Sequence, residues 1–331
     1  MIDLHKIDSI DVHFIIGPGR SGTTLLVQLL NFHSNSIAIP EVKHVLHFHK
    51  KYKNINSVTS EVISDYKNYY EEIKKKKKYY FVNAPEKNLL DALEIGQAIN
   101  FAQLSKIFHL VLAGVDDYAS IHCIIDKNPQ YTFQVKRLKT IFPESKFLVL
   151  IRDYRAYILS NLQHQKPNEK KRSTLYYAWV WRLYLHEINL LKKQLNNTLL
   201  IEKYEDLVLQ KEVTVARIFQ FFNLKFESTI FDFHLALENQ AKVLKTTEQL
   251  YVNTVKKISD LSSPINASRL FSWKEKMTEK NQKEASIICE KYAKTYDYTS
   301  NTFQTSEFMS VYLKSLFSFL RTKLYKLSTL V

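Results

Sequence analysis

Glycine is nearly absent from this chain, with five residues in 331. Three of the five, Gly17, Gly19 and Gly22, stand close together, which marks a loop with a backbone requirement that side chains cannot meet. Cysteine is scarcer still. Cys123 and Cys289 sit in separate apolar settings, excluding a disulfide framework and a CxxC pair and fitting a reducing compartment. Acid is in deficit: 33 Asp and Glu against 47 Lys and Arg leave a formal charge of +14, which suits anionic partners such as nucleotides or an acidic membrane face. No zinc-finger, basic-zipper or RNA-binding signature accompanies that charge, so no specific nucleic-acid partner is expected. The run Lys74 to Lys78 reads as a solvated loop or helix end. No uncharged apolar run reaches membrane-spanning length, and the opening "MIDLHKIDSIDVHF" carries charges throughout, unlike a signal peptide. The expected location is the cytoplasm.

What is present is a globular chain, 45% hydrophobic, with twenty Phe and twenty Tyr. Short apolar runs alternate with amphipathic stretches. Val12 to Ile16 predicts a strand, followed by the glycine loop and a helix from Thr23 to about Phe32. Residues 48–80, rich in Lys, Asn and Tyr, read as a variable helical excursion, and a long helix is expected from about Leu89 to Leu112. "CIIDKNPQY" predicts a short strand entering an Asn-Pro turn. "KFLVLIRD" carries the strongest buried-strand signal, and "TLLIEKYEDLV" a further strand and turn. The alternation predicts an α/β fold of three layers, a mostly parallel sheet between helices. One domain is expected over residues 1–300, with residues 301–331 as a basic amphipathic tail. That tail reads either as a helix packed on the domain or as one lying on a membrane surface.

The loop "FIIGPGRSGTTLLVQLL" joins strand to helix as a nucleotide-binding phosphate loop does, but Thr23 stands where a triphosphate loop has lysine. Glycine turns point backbone N–H groups inward, and the helix N-terminus adds partial positive charge. Ser21, Thr23 and Thr24 offer hydroxyls and Arg20 a full charge. "GPGRSGTTLL" resembles the 5′-phosphosulfate loop of sulfotransferases that use 3′-phosphoadenylyl sulfate (PAPS). The resemblance gives Gly19, Arg20, Ser21, Gly22, Thr23 and Thr24 to the donor. It also supplies a reason for the missing lysine, since that donor presents a sulfated phosphate in place of a triphosphate with magnesium.

A second match lies in "LIRDYRAYILS". In the family, a strand-end arginine and a serine eight positions later bind the donor's 3′-phosphate; here they are Arg152 and Ser160. A planar guanidinium fork suits phosphate, although an Arg-Asp pair after a strand also suits a structural ion pair. Family members usually read Arg-Asp-Pro, whereas this chain has Tyr154. The resemblance further implies Lys127 in "DKNPQY" facing the sulfuryl group, Tyr204 in "EKYEDLV" at the adenine, and Ser268 and Arg269 closing over the 3′-phosphate. It spans roughly residues 12–298 and resembles most the branch of tyrosylprotein, carbohydrate and bacterial enzymes.

That branch uses a glutamate base after the first helix, and Glu41 matches it. A transferred sulfuryl group needs an acceptor whose proton is removed, so the expected machinery is Glu41 as base with Arg20 and Lys127 stabilising charge. His44, His47 and His49 invite a metal reading, yet without a carboxylate or cysteine at ligand spacing they read as packed or solvated histidines. By resemblance no metal is needed, and adenosine 3′,5′-bisphosphate is the product. Alternatives are a kinase-like phosphotransferase on the same fold and a non-catalytic nucleotide- or glycan-binding relative. The acceptor, whether carbohydrate, lipid or peptide, is not readable. Residues 48–80, 85–120 and 230–265 are expected to shape its pocket.

Overall fold

A computed structural model of the chain describes residues 2–76, 88–165, 171–233, 267–298 and 305–330. Lys77, Lys78 and residues 234–266, most of one segment expected to shape the acceptor pocket, lie outside the described residues. A short helix α1 (Leu4–Asp8) precedes β1 (Asp11–Ile16), α2 (Thr23–Asn31), β2 (Ser36–Pro40), α3 (His44–Tyr52), α4 (Ser60–Lys76) and α5 (Phe101–Ala113). Then come β3 (Cys123–Lys127), α6 (Val135–Ile141), β4 (Phe147–Ile151), α7 (Tyr154–Gln163), α8 (Thr174–Leu195) and β5 (Leu199–Lys203). α9 (Tyr204–Leu209), α10 (Lys211–Phe221), α11 (Trp273–Lys276), α12 (Glu279–Thr295) and α13 (Thr305–Leu330) complete the described elements.

The five strands form one parallel sheet in the order β2-β3-β1-β4-β5. Parallel strands covered on both faces must be apolar throughout, which is why "FLVLI" carries no polar position. Alternate side chains feed two cores. Phe14, Ile16, Ile124, Val149 and Ile151 pack towards α5, α7, α8 and α12, while Ile15, Ile125, Leu148 and Leu150 pack towards α2 and α10. Ligand sites of such sheets lie at the carboxyl ends of the strands where the order reverses. β1 holds that position, since the chain first winds to one side of it and later to the other.

The long helix expected from about Leu89 is a correction. A 3₁₀ turn at Leu89–Ala92 is followed by an extended segment, and α5 begins only at Phe101. Gly96 adopts φ 85°, and Asn100 forms a reciprocal capping box with Gln103, so a helix start is encoded where the hydrophobic pattern alone shows none.

Candidate functional site

The glycine loop leaves β1 between two elements that lie far from it in sequence. The amide of Gly17 donates to Thr132 Oγ1 (2.8 Å), and that hydroxyl donates to the carbonyl of Pro129 (2.7 Å). The turn following Lys127 therefore anchors the loop's first residue. Gly17 has φ 107°, and a Cβ there would press on Val149 and the carbonyl of Leu150. Gly22 has φ 85°, and a Cβ would lie 2.2 Å from the ring of Tyr204. Gly19 differs from the expectation for all three glycines: its φ is not left-handed, and a Cβ would meet only Pro129 at 3.9 Å.

Gly22 is the N-cap of α2 and has no side chain to cap the helix, so the first amides of Thr23 and Thr24 open onto the loop. Ser21 is completely buried there, and its Oγ has no hydrogen-bond partner. A buried hydroxyl without a partner costs free energy unless something else supplies one. These are the features of a cradle for an anion. Thr23 is buried and Thr24 exposed.

Arg20 and Ser160 meet directly, with Arg20 Nε donating to Ser160 Oγ (3.2 Å). Arg20 Nη2 donates to His164 Nε2 (2.7 Å), which assigns the His164 proton to Nδ1, where it bonds the carbonyl of Ser160 (2.7 Å). His164 is a site residue the sequence reading did not single out; its one signal was a position four residues beyond Ser160, on the same helical face.

Arg152, at the end of β4, closes the other side. Its Nη1 donates to the carbonyl of Arg20 (3.3 Å) and its Nη2 to that of Arg269 (2.7 Å), while the guanidinium lies over the Tyr204 ring at 4.5 Å. Its Nε is buried without a hydrogen-bond partner, and burial pulls its pKa down. The neighbouring acid does not take it. Asp153 caps α7 and pairs with Arg155 (2.6 Å), so the structural ion pair in "RDYR" is Asp153–Arg155. Arg152 is thus held in place by carbonyl groups rather than by a direct carboxylate partner, although Glu205 and Asp153 lie close enough to act on its charge. Tyr154, where relatives have proline, is fully buried and its hydroxyl bonds Ser286 (2.7 Å). Ser268 and Arg269 are exposed at the rim of this clamp.

Glu41 and Lys127 form a second group beside the loop. β2 and β3 run in register at Pro40 and Lys127, and the Glu41 amide donates to the Lys127 carbonyl (2.7 Å). The Lys127 ammonium, nearly buried, donates to the Glu41 carboxylate, half of which faces solvent. Lys43 is exposed two residues on; partial burial lowers its pKa, against the opposing pull of Glu41.

Backbone strain singles out the same residues. Among the described residues, five non-glycine positions have positive φ: Arg20, Glu41, Asn196, Asn223 and Asp297. Asn and Asp tolerate this conformation. Arg20 (φ 65°) and Glu41 (φ 51°) do not have that latitude, and strain of this kind gathers where function holds a side chain in place.

The three clustered histidines do not converge. His47 stacks on Tyr69, and His49 Nδ1 accepts from Arg137 Nε (3.2 Å). His44 turns inward to His109 and Asp126, where one potential ligand atom from each lies within 4.8 Å of the others. Burial, and then His109, hold the His44 pKa well down.

Comparison with known proteins gives a consistent picture. The sequence model described as the sulfotransferase family matches residues 13–228. Among solved structures, the chain resembles the sulfotransferase domain from the curacin biosynthetic pathway at 19% identity and a TM-score of 0.55, covering 88% of this chain and 99% of that one. It also resembles the sulfotransferase domain of the Synechococcus PCC 7002 olefin synthase, at 16% identity and a TM-score of 0.54, covering 88% and 97%. At these identities the structural likeness speaks for the fold. No curated protein matches in sequence.

Proposed function

This chain belongs to the sulfotransferase family and is a sulfotransferase, and on that premise we propose that it takes the sulfuryl group from PAPS and passes it to a hydroxyl or amine of its acceptor, with Glu41 as general base. The reading is supported most by one observation: Arg152, 132 residues beyond Arg20, reaches the loop's own backbone, bonding the Arg20 carbonyl while Ser160 bonds the Arg20 side chain. Two anion-binding devices thereby share one wall, as a ligand with two separated phosphate groups requires.

PAPS, when bound, supplies a sulfuryl group on a good leaving phosphate. Ser21 Oγ, the open amides of α2 and Arg20 hold the 5′-phosphosulfate end, and Arg152 and Ser160, with Ser268 and Arg269 at the rim, hold the 3′-phosphate. Tyr204 lies against both Gly22 and Arg152 and offers a face to the adenine. Glu41 takes the acceptor proton as the new bond from sulfur to the acceptor oxygen or nitrogen forms and the bond to the phosphate oxygen breaks in line. Lys127 passes from the Glu41 carboxylate to the oxygens where charge gathers, and Arg20 with the loop amides stabilises the leaving phosphate. None of these steps calls on a metal.

The test is thermal shift and calorimetry with adenosine 3′,5′-bisphosphate beside ATP and Mg²⁺. Stabilisation by the bisphosphate is expected, lost in Arg152→Ala and kept in Glu41→Gln, whereas turnover with radiosulfur-labelled donor disappears in both. Stabilisation by ATP and Mg²⁺ alone would assign the site to phosphoryl transfer, and a Glu41→Gln enzyme that still turned over would remove Glu41 from its role.

A further inference from the structure

Helix α13 exposes more apolar surface than its packing explains. One face docks on α8: Val311 is buried, Tyr325 and Tyr184 share a hydroxyl hydrogen bond (2.8 Å), and Phe319 lies against Trp179. Gln134 donates to the carbonyl of Thr329 (2.8 Å), tying the helix to the segment after Lys127. The opposite face carries Met309, Leu313, Leu316, Leu320, Leu324 and Leu327, each between 53% and 70% exposed, with Phe317 beside them at 67%. At the helical repeat these seven residues fall within an arc of roughly 100° and run about 27 Å along the axis. Apolar residues scattered singly over a surface need no explanation, but a continuous row of this size does.

The charges bordering the row indicate its partner. Lys314 and Arg321 follow one edge and Lys323 the other, and the Arg321 guanidinium lies 5.5 Å from the Phe317 ring. Lys314 and Lys323 are exposed and bond no acid among the described residues. Glu307, the one acid in the helix, pairs with Lys283, and Lys326 pairs with Glu187 (2.7 Å). A second copy laid on this face would set cations against cations. An anionic bilayer would receive the leucines between its acyl chains and offer headgroup phosphates to both cationic edges. No described helix is long and apolar enough to cross a membrane.

We propose that this face of α13 is a docking surface for an anionic lipid bilayer, with the helix lying in the plane of the interface. The proposal does not depend on the sulfotransferase reading, and lipid binding is measured without turnover. The experiment is co-sedimentation of the full chain with vesicles of phosphatidylcholine alone and of phosphatidylcholine mixed with phosphatidylserine. Association with the mixed vesicles is expected, weakening with salt. Lys314→Gln should lower the partition about fivefold, and Leu320→Ser roughly tenfold or more. Both positions are exposed, so unchanged thermal unfolding and bisphosphate binding should accompany the loss. Three results would overturn the proposal: no association with either vesicle, association indifferent to both substitutions, or a dimer in solution that Leu320→Ser dissociates while vesicles are ignored. Binding to an acidic protein without binding to vesicles would likewise assign the face elsewhere.

Discussion

Replacing Glu41 with glycine should yield a more stable protein than replacing it with alanine. Both variants lose the carboxylate and its bond to Lys127, so the ion pair cancels from the comparison. What remains is the backbone. At φ 51° an L-residue pays about 1–2 kcal/mol for the contact between its Cβ and the carbonyl oxygen. Glycine escapes that contact but gives up about 0.5–1 kcal/mol of additional chain entropy on folding. The net places Glu41→Gly ahead of Glu41→Ala by about 0.5–1 kcal/mol. At a position with ordinary helical φ the order is reversed. Asn68, exposed in the middle of α4, provides the control: Asn68→Ala should be more stable than Asn68→Gly, by about 1 kcal/mol. Urea unfolding at neutral pH, compared by midpoint at constant slope, resolves both signs. If Glu41→Ala matched or exceeded Glu41→Gly, the strain would not exist, and the argument that Glu41 is held for function would lose its physical basis. Neither Glu41 variant should turn over.

The remaining predictions concern the loop, its clamp and acid stability. Gly22→Ala should destabilise the fold by about 2–3 kcal/mol, through a left-handed φ and a Cβ driven into Tyr204, and should abolish bisphosphate binding; Tyr204→Ala should cost less stability in the Gly22→Ala background than in the parent protein, and strict additivity would mean the ring is not the obstacle. His164→Ala removes the acceptor that orients Arg20, at a cost of about 1 kcal/mol, so bisphosphate affinity by calorimetry should fall about fivefold. An unchanged affinity would show that Arg20 needs no such support. Burial lowers the His13 pKa from 6.5 to about 4, against a weaker upward pull from Asp11. Between these values the unfolded chain binds the proton that the folded chain refuses, so stability present above pH 6.5 is lost as the pH falls towards 4, by up to about 3 kcal/mol. His13→Asn keeps an acceptor for the Lys146 amide, which donates to His13 Nδ1 (3.2 Å), and should flatten that part of the pH profile. An identical profile would place the acid sensitivity in other groups.

The sequence by itself determined four of the five strands and the glycine loop, because each rests on local rules; β2, in a stretch that reads as a polar connection, it did not. Short continuous apolar runs bounded by turn signals fit strands buried on both faces, and a glycine turn between strand and helix leaves amides unpaired. It also offered Arg20, Arg152, Ser160, Glu41 and Lys127 as candidates. Only the tertiary structure decided how they meet. The sequence left open whether Arg152 belonged to Asp153; Asp153 turned to Arg155, and Arg152 to the carbonyls of Arg20 and Arg269. His164 and Thr132 joined the site through bonds spanning more than a hundred residues, which no spacing rule can read. The break before α5 was fixed by a capping box that outweighed the apolar pattern, and the histidines of α3 were dispersed by the different neighbours each met. Local chemistry sets what each segment can form. Which side chains share a site depends on the packing of strands that the chain visits far apart in order.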